Sequence, residues 1–373
     1  MKYIISFLLF SLLLFSCRNE ISNKAIKVDI EAIDNISIHE FFDKIEIIKL
    51  ELNPIATISY FRKVISYNDR YYILDDRFPV IYMYTNQGKY LSKIDKQGQG
   101  PNEYIQISDF DIDTISKKLT ILDPSYGALL EYNLNGDFKK RILLPKINRS
   151  YYKFKYINSD LISFWTFDYD NRVKFYSLSK NKIIKESFPE VNNVLNNTLL
   201  DFSYRNFFCR SISNTVYEFN SDCEILKSYI WDFGRLNNDE KKLNNNSESL
   251  SKLNPNTLSK KIRSSEVVNY IFASNGGNST YIMTQIIRKN KILNVIHNKK
   301  TNKSYVFKKT KENAGFFPIY WTEDYVIGKK LETDKSLDGC LPDEILDIRN
   351  RAIKKGISEF DNPVLIKYNF RKK

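Results

Sequence analysis

Two stretches of the chain repeat one pattern, RYYILDDRFPVIYMYTNQGKYLSKID at residues 70–95 and KLTILDPSYGALLEYNLNGDFKKRIL at residues 118–143. They align without gaps at an offset of 48 residues, so that Gly88 corresponds to Gly136. A period near 45 residues that is dense in strand-forming residues is typical of the blades of a β-propeller. The repeat therefore predicts a propeller in which each copy supplies four antiparallel strands.

A weaker copy of the repeat follows further along the chain. Glu131-Tyr132-Asn133 aligns with Glu218-Phe219-Asn220, and this alignment sets Cys223 against Gly136. The copies and the strand-rich stretches between them predict five complete blades. These blades cover about residues 62–95, 107–143, 153–186, 198–233 and 266–310.

A sixth blade is predicted after residue 310, but that stretch of chain supplies only two of its four strands. Phe316–Trp321 and Tyr325–Lys330 supply two strands only, whereas Val364–Phe370 and Ile45–Leu52 are strand candidates at opposite ends of the chain. Pairing these two strands within one blade closes the ring and removes exposed sheet edges. The predicted fold class is thus all-β, a six-bladed β-propeller of four-stranded antiparallel blades that is closed by N- and C-terminal strands. Short helical insertions are expected at about residues 237–262 and 342–355.

The N-terminus has the features of an export signal. Lys2 precedes an apolar run of about twelve residues, which is too short to span a bilayer of about 30 Å. The run ends in Leu14-Phe15-Ser16-Cys17, which resembles a lipobox, although Phe15 is larger than the residue usual there. We expect a signal peptide at 1–16, a lipidated Cys17 with a tether at 17–35, and the propeller at 36–373. The alternative is an ordinary cleaved signal with an incidental cysteine.

Composition limits the partners of the protein. The formal net charge is +13, but the lysines are scattered and no nucleic-acid-binding motif is present, so we expect no nucleic acid partner and a monomer. Only two histidines occur, which argues against a transition-metal site. Besides Cys17, three cysteines remain, and a disulfide between Cys209 and Cys223 is left open.

One loop carries a family resemblance. The segment Gly98-Gln99-Gly100-Pro101-Asn102-Glu103-Tyr104 leads into Ile107–Asp113, and together with Lys44–Leu50 and Asn362–Ile366 it resembles the six-bladed β-propeller lipoproteins of Bacteroidetes, relatives of the NHL-repeat propellers. The resemblance implies the propeller fold and a lipoprotein of the cell envelope. Arg18 follows Cys17 in place of the Asp that is associated with inner-membrane retention in some bacteria, so we expect an outer-membrane lipoprotein. It implies little about activity, because one fold supports many functions.

Long links between predicted strands gather on one face of the propeller, and functional loops commonly lie on one side of a rigid scaffold. We therefore expect a glycan, a peptide or a partner protein of the envelope to bind this long-loop face. The alternative is a hydrolase or lyase that uses Glu103 with Arg77, whereas a purely structural Glu103 would accept backbone hydrogen bonds and lock adjacent blades. The candidate ligand-binding residues are Gln97, Glu103, Tyr104, Asp76, Arg77 and Tyr126.

Two sets of aspartates allow both a structural and a functional interpretation. Asp75 and Asp123 occupy equivalent repeat positions, which favours a structural role. Asp109, Asp111 and Asp113 alternate along one predicted strand and so share one of its faces. Such carboxylates are weak candidates for a Ca²⁺ site, and capping or turn roles are the alternative. No cofactor other than Ca²⁺ is indicated.

Overall fold

The computed structural model describes residues 25–168, 172–187, 201–202, 207–209, 214–237, 254–268, 270–330 and 336–371. These residues form six small antiparallel sheets arranged in a ring, so the predicted six-bladed β-propeller is confirmed. The first strands of neighbouring blades contact one another, as between blades 1 and 2 or 2 and 3, which places these strands next to the ring axis. Within the described residues, no helix has both the length and the apolar character needed to cross a membrane.

Two strands precede the first blade, and the blades then follow in chain order. The early strands are β1 (Ala25–Lys27) and β2 (Phe42–Ile48). Blade 1 comprises β3 (Phe61–Tyr67), β4 (Arg70–Asp75), β5 (Ile81–Thr85) and β6 (Tyr90–Ile94). Blade 2 comprises β7 (Asp109–Asp113), β8 (Lys118–Asp123), β9 (Ala128–Asn133) and β10 (Phe138–Leu143). Blade 3 comprises β11 (Tyr151–Tyr156), β12 (Leu161–Thr166), β13 (Val173–Ser177) and β14 (Lys182–Ser187).

The second half of the ring has the same plan. Blade 4 comprises β15 (Asp201–Phe202), β16 (Phe207–Cys209), β17 (Thr215–Phe219) and β18 (Ile225–Asp232). Blade 5 comprises β19 (Tyr270–Gly277), β20 (Tyr281–Arg288), β21 (Lys291–Asn298) and β22 (Lys303–Phe307). Blade 6 comprises β23 (Pro318–Trp321), β24 (Tyr325–Gly328) and β25 (Leu365–Phe370), and its fourth, outermost strand is β2.

The two ends of the chain close the ring as predicted. Strand β2 pairs antiparallel with β25, with Ile45 opposite Tyr368 and Ile47 opposite Ile366. Ile45 and Ile47 are buried, at 2% and 3% exposure. Because blade 6 takes strands from both termini, unfolding it requires that the closed ring open.

The packed part of the chain begins earlier than the boundary expected at residue 36. Strand β1 pairs in parallel with β18, so blade 4 has a fifth strand at its outer edge. Ile26, Val28 and Ile30 are buried against blades 4 and 5. Residues 25–35, expected as part of a tether, therefore belong to the propeller because their apolar side chains add to its core.

The short turns explain why the repeat aligns as it does. Gly88, Gly136 and Cys223 occupy the same turn between the third and fourth strands of blades 1, 2 and 4, with φ of 86°, 96° and 60°. Glycine adopts this left-handed region without steric cost, whereas an L side chain is strained there. Cys223 is a free, buried thiol, so the disulfide left open for it is not formed. The side chain of Cys209 lies outside the described residues.

Both expected helical insertions contain a helix. Helix α1 (Pro255–Ser264) lies between blades 4 and 5, and residues 238–253 of the same insertion lie outside the described residues. Helix α2 (Ile348–Lys355) lies between β24 and β25, and the Asp347 side chain caps it by accepting a 2.7 Å hydrogen bond from Asn350 N. Such a cap satisfies one of the free N–H groups of the first turn.

Candidate functional site

The carboxylate of Glu103 is used inside its own loop. Glu103 Oε2 accepts a 2.7 Å hydrogen bond from Gly100 N. The same oxygen lies so close to Gly98 that a Cβ at this position would be only 2.1 Å away. Gly98 is therefore required by the approach of the Glu103 carboxylate. The geometry is that of the structural alternative, in which Glu103 holds the link between blades 1 and 2.

Two side chains of blade 2 form hydrogen bonds with the backbone of the Glu103 loop. The Arg141 guanidinium donates to the carbonyl oxygens of Gly100 (3.1 Å) and Glu103. It also lies 4.6 Å from the centroid of the Tyr126 ring, while Tyr126 Oη donates to Gln99 O at 3.3 Å. Arg141 was not among the predicted residues, because nothing in its local sequence shows that β10 lies beside this loop. Tyr126 is thus a support for the loop.

Tyr104 is a core residue. Its side chain is 0% exposed and packs between blades 1 and 2. Its hydroxyl donates to Pro79 O at 2.6 Å, and burial raises the pKa of this phenol above its ordinary value. A fully buried ring cannot contact a ligand at the surface, so the assignment of Tyr104 to ligand binding has no support from its position.

The remaining candidates on the long-loop face are exposed. Asp76, Arg77 and Gln97 all have exposed side chains. Gln97 Nε2 donates to Ile105 O at 3.0 Å. Within the described residues no hydrogen bond or ion pair joins Arg77 to Glu103. The two residues suggested for a hydrolase or lyase are therefore not in direct contact with each other.

Asp75 and Asp123 have matching structural roles, as their repeat positions suggested. Asp75 Oδ1 accepts from Arg77 N at 2.8 Å, and Asp123 Oδ1 accepts from Ser125 N at 2.9 Å. The second oxygen of each reaches the link that enters its blade, at Ser59 N (2.5 Å) and Ile105 N (2.8 Å). Each aspartate thus ties a turn to the incoming chain.

The three alternating aspartates of β7 are buried and engaged. Asp109 Oδ2 accepts from Phe154 N and Asp111 Oδ2 accepts from Tyr156 N, both at 3.0 Å. Asp113 Oδ1 accepts from two backbone N–H groups of the following turn. Asp109 and Asp111 thus join blade 2 to blade 3. Because their carboxylates already accept hydrogen bonds from backbone N–H groups, we do not propose a Ca²⁺ site here. In the described part of the chain, no cluster of three or more Asp, Glu, His or Cys side chains has a metal-binding arrangement.

Two cavities with mixed polar and apolar lining lie where the ring closes, in the seam between blades 6 and 1. The first has a volume of about 350 Å³ and is bounded by the turn after β3, by Tyr71 and by Tyr325. The second has a volume of about 430 Å³ and lies between β2, α2 and the turn after β5. Asn86 and Lys367 line both cavities, so the two form one site, which we call the seam site.

Lys367 is the central cation of the seam site. Its side chain is half-buried, and Nζ lies 4.4 Å from the centroid of the Tyr325 ring. Within the described residues, Nζ makes neither a hydrogen bond nor an ion pair. Sequence reasoning missed Lys367 because it is one of many lysines, and only the pairing of β25 with β2 and β24 places it here.

The surroundings of Lys367 are ionic. Burial would raise the pKa of Glu46, but hydrogen bonds from Lys44 and Asn369 outweigh this effect, and the pKa lies below its ordinary value. Glu46 is therefore ionised at neutral pH, with Lys44 Nζ 3.0 Å from its carboxylate. Burial raises the pKa of Tyr325, whose hydroxyl shares a 2.8 Å hydrogen bond with Ser66 Oγ.

The ring, its closure and its fixed loops define a six-bladed β-propeller with a candidate site in the closing seam. The chain belongs to the family described as Domain of unknown function (DUF4934), which matches residues 24–369. A search of the curated proteins finds no match.

Two solved structures from Bacteroides are similar in fold. The chain is 15% identical to an exported protein of Bacteroides fragilis, with a TM-score of 0.75 over 94% of this chain and 100% of the other. It is 10% identical to a member of the DUF4221 family from Bacteroides vulgatus, with a TM-score of 0.53 over 88% and 97% of the two chains. At these identities the likeness concerns the fold alone. The resemblance to six-bladed propellers is thus confirmed for the fold, and lipidation stays a prediction.

Proposed function

We propose that this protein is an exported, lipid-anchored β-propeller that binds a ligand in the seam site and performs no catalysis. The observation that carries the proposal is Lys367, a half-buried cation that borders both cavities and has no hydrogen bond or ion pair within the described residues. The ammonium contacts the Tyr325 ring and is attracted to Glu46 without a direct ion pair, so its three N–H groups can still donate to a ligand that carries a complementary acceptor. Glu103, the main catalytic candidate, is by contrast bonded within its loop.

The seam site replaces the long-loop face as the proposed position of the ligand. Tyr104 and Glu103 are occupied by the packing of that face. Both seam cavities fall within the range of about 300–1,000 Å³ that is usual for small-ligand sites. A glycan, a peptide or a segment of an envelope protein would fit a site of this size.

The proposed lipid anchor at Cys17 is compatible with a ligand site in the seam between blades 6 and 1. Cys17 stands eight residues before Ala25, and an extended chain of that length reaches at most about 28 Å. Strand β1 joins the outer edge of blade 4, which lies across the six-membered ring from blade 1. A lipid on Cys17 would hold blade 4 near the membrane and turn the seam site away from it. The lipobox and the shared fold of the exported Bacteroides fragilis protein support an envelope location.

Lipidation is tested by expressing the full chain and its Cys17→Ala variant in a Bacteroidetes host that is fed an alkyne-tagged fatty acid. We expect the label and membrane fractionation for the natural chain and neither for the variant. Label on both chains, or on neither, would contradict the anchor.

Ligand binding is tested by thermal shift of the detergent-solubilised protein against neutral glycans, acidic glycans and peptides. A ligand of the folded state at 100 times its Kd raises stability by about 2.7 kcal/mol. We expect such a stabilisation to disappear in Lys367→Met. A ligand whose effect survives in Lys367→Met but is lost in Arg77→Ala would move the site back to the long-loop face.

A further inference from the structure

The seam site has a chemical character that narrows the ligand. We infer that it binds an acidic oligosaccharide, with the carboxylate or sulfate group of the sugar held between Lys367 and Arg349. This inference rests on the proposed function and names the ligand class of the same site. The lining of the two cavities and the charges around the second cavity support it independently.

The first cavity offers hydrogen-bonding groups without aliphatic surface. It is lined by hydroxyl, carboxamide, carboxylate and ammonium groups together with tyrosine rings, including those of Ser66, Asn68, Asp69, Asn86 and Tyr325. Neighbouring sugar hydroxyls both donate and accept hydrogen bonds, and such a mixed set can satisfy them. Aliphatic side chains, which would favour an apolar peptide group, line only the second cavity, at Ile47, Ile48, Ala352 and Ile353.

Part of this lining is already held in place. Asn86 Nδ2 donates to Asp69 Oδ1 at 3.0 Å, which fixes the carboxamide of one turn against the carboxylate of another. Asn68 and Asp69 have φ of 51° and 55°, so the turn after β3 has the left-handed geometry of a tight hairpin. A rigid pair of turns lowers the entropic cost of binding because few groups must be ordered.

The second cavity has an excess of positive charge. Four cationic side chains and one carboxylate line it. Lys44 pairs with Glu46 at 3.0 Å, and Lys49 pairs with Asp361 at 2.9 Å. Within the described residues, Arg349 and Lys367 have no hydrogen bond or ion pair. Lys367 is attracted to Glu46 and Arg349 to Asp347, but neither cation makes a direct ion pair, so both can still bind an anion in the cavity.

The two cations differ in ways that suit one acidic group on a larger ligand. Arg349 is exposed on helix α2, and its planar guanidinium can bind a carboxylate or sulfate through two hydrogen bonds. Lys367 is half-buried at the junction of both cavities, so an anion at this point leaves the rest of the ligand to extend over Asn86 and Asp69. A free inorganic anion would use the cations but not the hydrogen-bonding groups of the first cavity.

The test is calorimetric titration of the purified, detergent-solubilised protein with tetragalacturonate. Its fully methyl-esterified form serves as a neutral match of the same shape, and a carrageenan tetrasaccharide serves as a probe with sulfate only. We expect the acidic form to bind at least tenfold more tightly than the ester and to weaken as salt is raised. Binding of the sulfated probe in place of tetragalacturonate would support the inference and identify sulfate as the acidic group.

Two variants test whether Lys367 and Arg349 hold the acidic group of the ligand. Lys367→Met removes the ammonium while keeping the unbranched chain beside Tyr325, and Arg349→Ala changes an exposed residue that makes no hydrogen bond or ion pair within the described residues. Each should weaken binding of the acidic probe tenfold or more, and both should melt close to the natural chain. The control is Lys139→Met, an equal charge change on the exposed face of blade 2, which should alter Kd less than twofold.

Three results separate the inference from the function on which it rests. Equal affinity for tetragalacturonate and its ester, or full affinity in both variants, overturns the acidic ligand. If neutral glycans or peptides bind instead and Asn86→Ala abolishes that binding, the inference fails while the seam site stands. If no probe responds to Lys367, Arg349 or Asn86, both the inference and the proposed function fail.

Discussion

Asp109 Oδ1 lies 2.8 Å from Lys63 Nζ, and the other oxygen of Asp109 accepts the backbone N–H of Phe154. One carboxylate thus joins the innermost strands of blades 1, 2 and 3. The Asp109 side chain is 4% exposed and that of Lys63 is 26% exposed, so the pair is partly shielded from water. Asp109 and Asp111 connect blade 2 to blade 3 and Asp113 holds the turn after β7, and these roles explain the alternating aspartates of β7 without a metal ion.

We expect Asp109→Asn to destabilise the protein by about 2–3 kcal/mol, because it removes the carboxylate that is paired with Lys63 and leaves the ammonium with its bond to Phe110 O. Urea unfolding of this variant, of Lys63→Met and of the double variant measures the coupling. The double variant should lose about 0.5–3 kcal/mol less than the sum of the two single losses. Simple additivity would mean that the pair does not act as a unit. Added Ca²⁺ should not shift the melting temperature of the natural chain.

Glu103→Ala should lower stability by about 1–2 kcal/mol, because Gly100 N loses its acceptor in a partly buried loop. Gly98→Ala should have a similar effect, since its Cβ would meet the Glu103 carboxylate. Melting temperatures measure both, with Glu344→Ala as a control at an exposed carboxylate on another loop.

Glu103→Gln should leave ligand binding at the seam site unchanged. A loss of binding in that variant with normal stability would return Glu103 to the functional residues.

Asn362 holds the link that closes the ring. Its Oδ1 accepts from Ile58 N at 2.8 Å, and its Nδ2 donates to the carbonyl oxygens of Glu51 and Ala56 at 2.9 Å. The residue is 2% exposed, so Asn362→Ala leaves buried polar groups unsatisfied and should cost about 2–4 kcal/mol. Urea unfolding checks this value against Asn102→Ala, which changes an exposed asparagine. Equal losses in the two variants would show that the buried network adds nothing.

Glu312 should make stability depend on pH in the acid range. Burial would raise its pKa, but hydrogen bonds from Ser37, Thr310 and the Ile38 N–H outweigh this and lower the pKa from 4.5 to about 2. A lowered folded-state pKa gives stability that is present above pH 4.5 and lost as the pH falls towards 2.

The matched variant for this effect is Glu312→Gln. It should be less stable than the natural chain at about pH 7, and the gap between their urea midpoints should narrow at about pH 3.5. Glu359→Gln, at an exposed position, should show no gap at either pH. A gap for Glu312→Gln that stays constant with pH would exclude ionisation of Glu312 as its cause.

The blades and their closure were predictable because their determinants are local and repeated. Strand pattern, turn residues and a constant offset of 48 residues are properties of short segments, and Gly88 and Gly136 take the same left-handed turn in consecutive copies. The ring closure followed from the same repeat, since blade 6 lacked two strands and the chain ends supplied them. The equivalent roles of Asp75 and Asp123 were predictable for the same reason.

The candidate site was not predictable in this way, because its residues are joined only by packing between blades. From the sequence alone, Glu103 and Tyr104 could have been functional or structural. In the structure, the Glu103 carboxylate accepts a hydrogen bond from Gly100 N and the Tyr104 ring lies in the core. Asn86 and Lys367 come from distant parts of the chain and border the same cavities only because β2 and β25 close the ring. The sequence by itself determined the propeller, since the four repeat strands of each of blades 1 to 5 come from one continuous segment and the two strands missing from blade 6 come from the chain ends. Only the tertiary structure decided that Lys367 and Arg349 border one cavity, because their positions depend on contacts between segments that share no local sequence pattern.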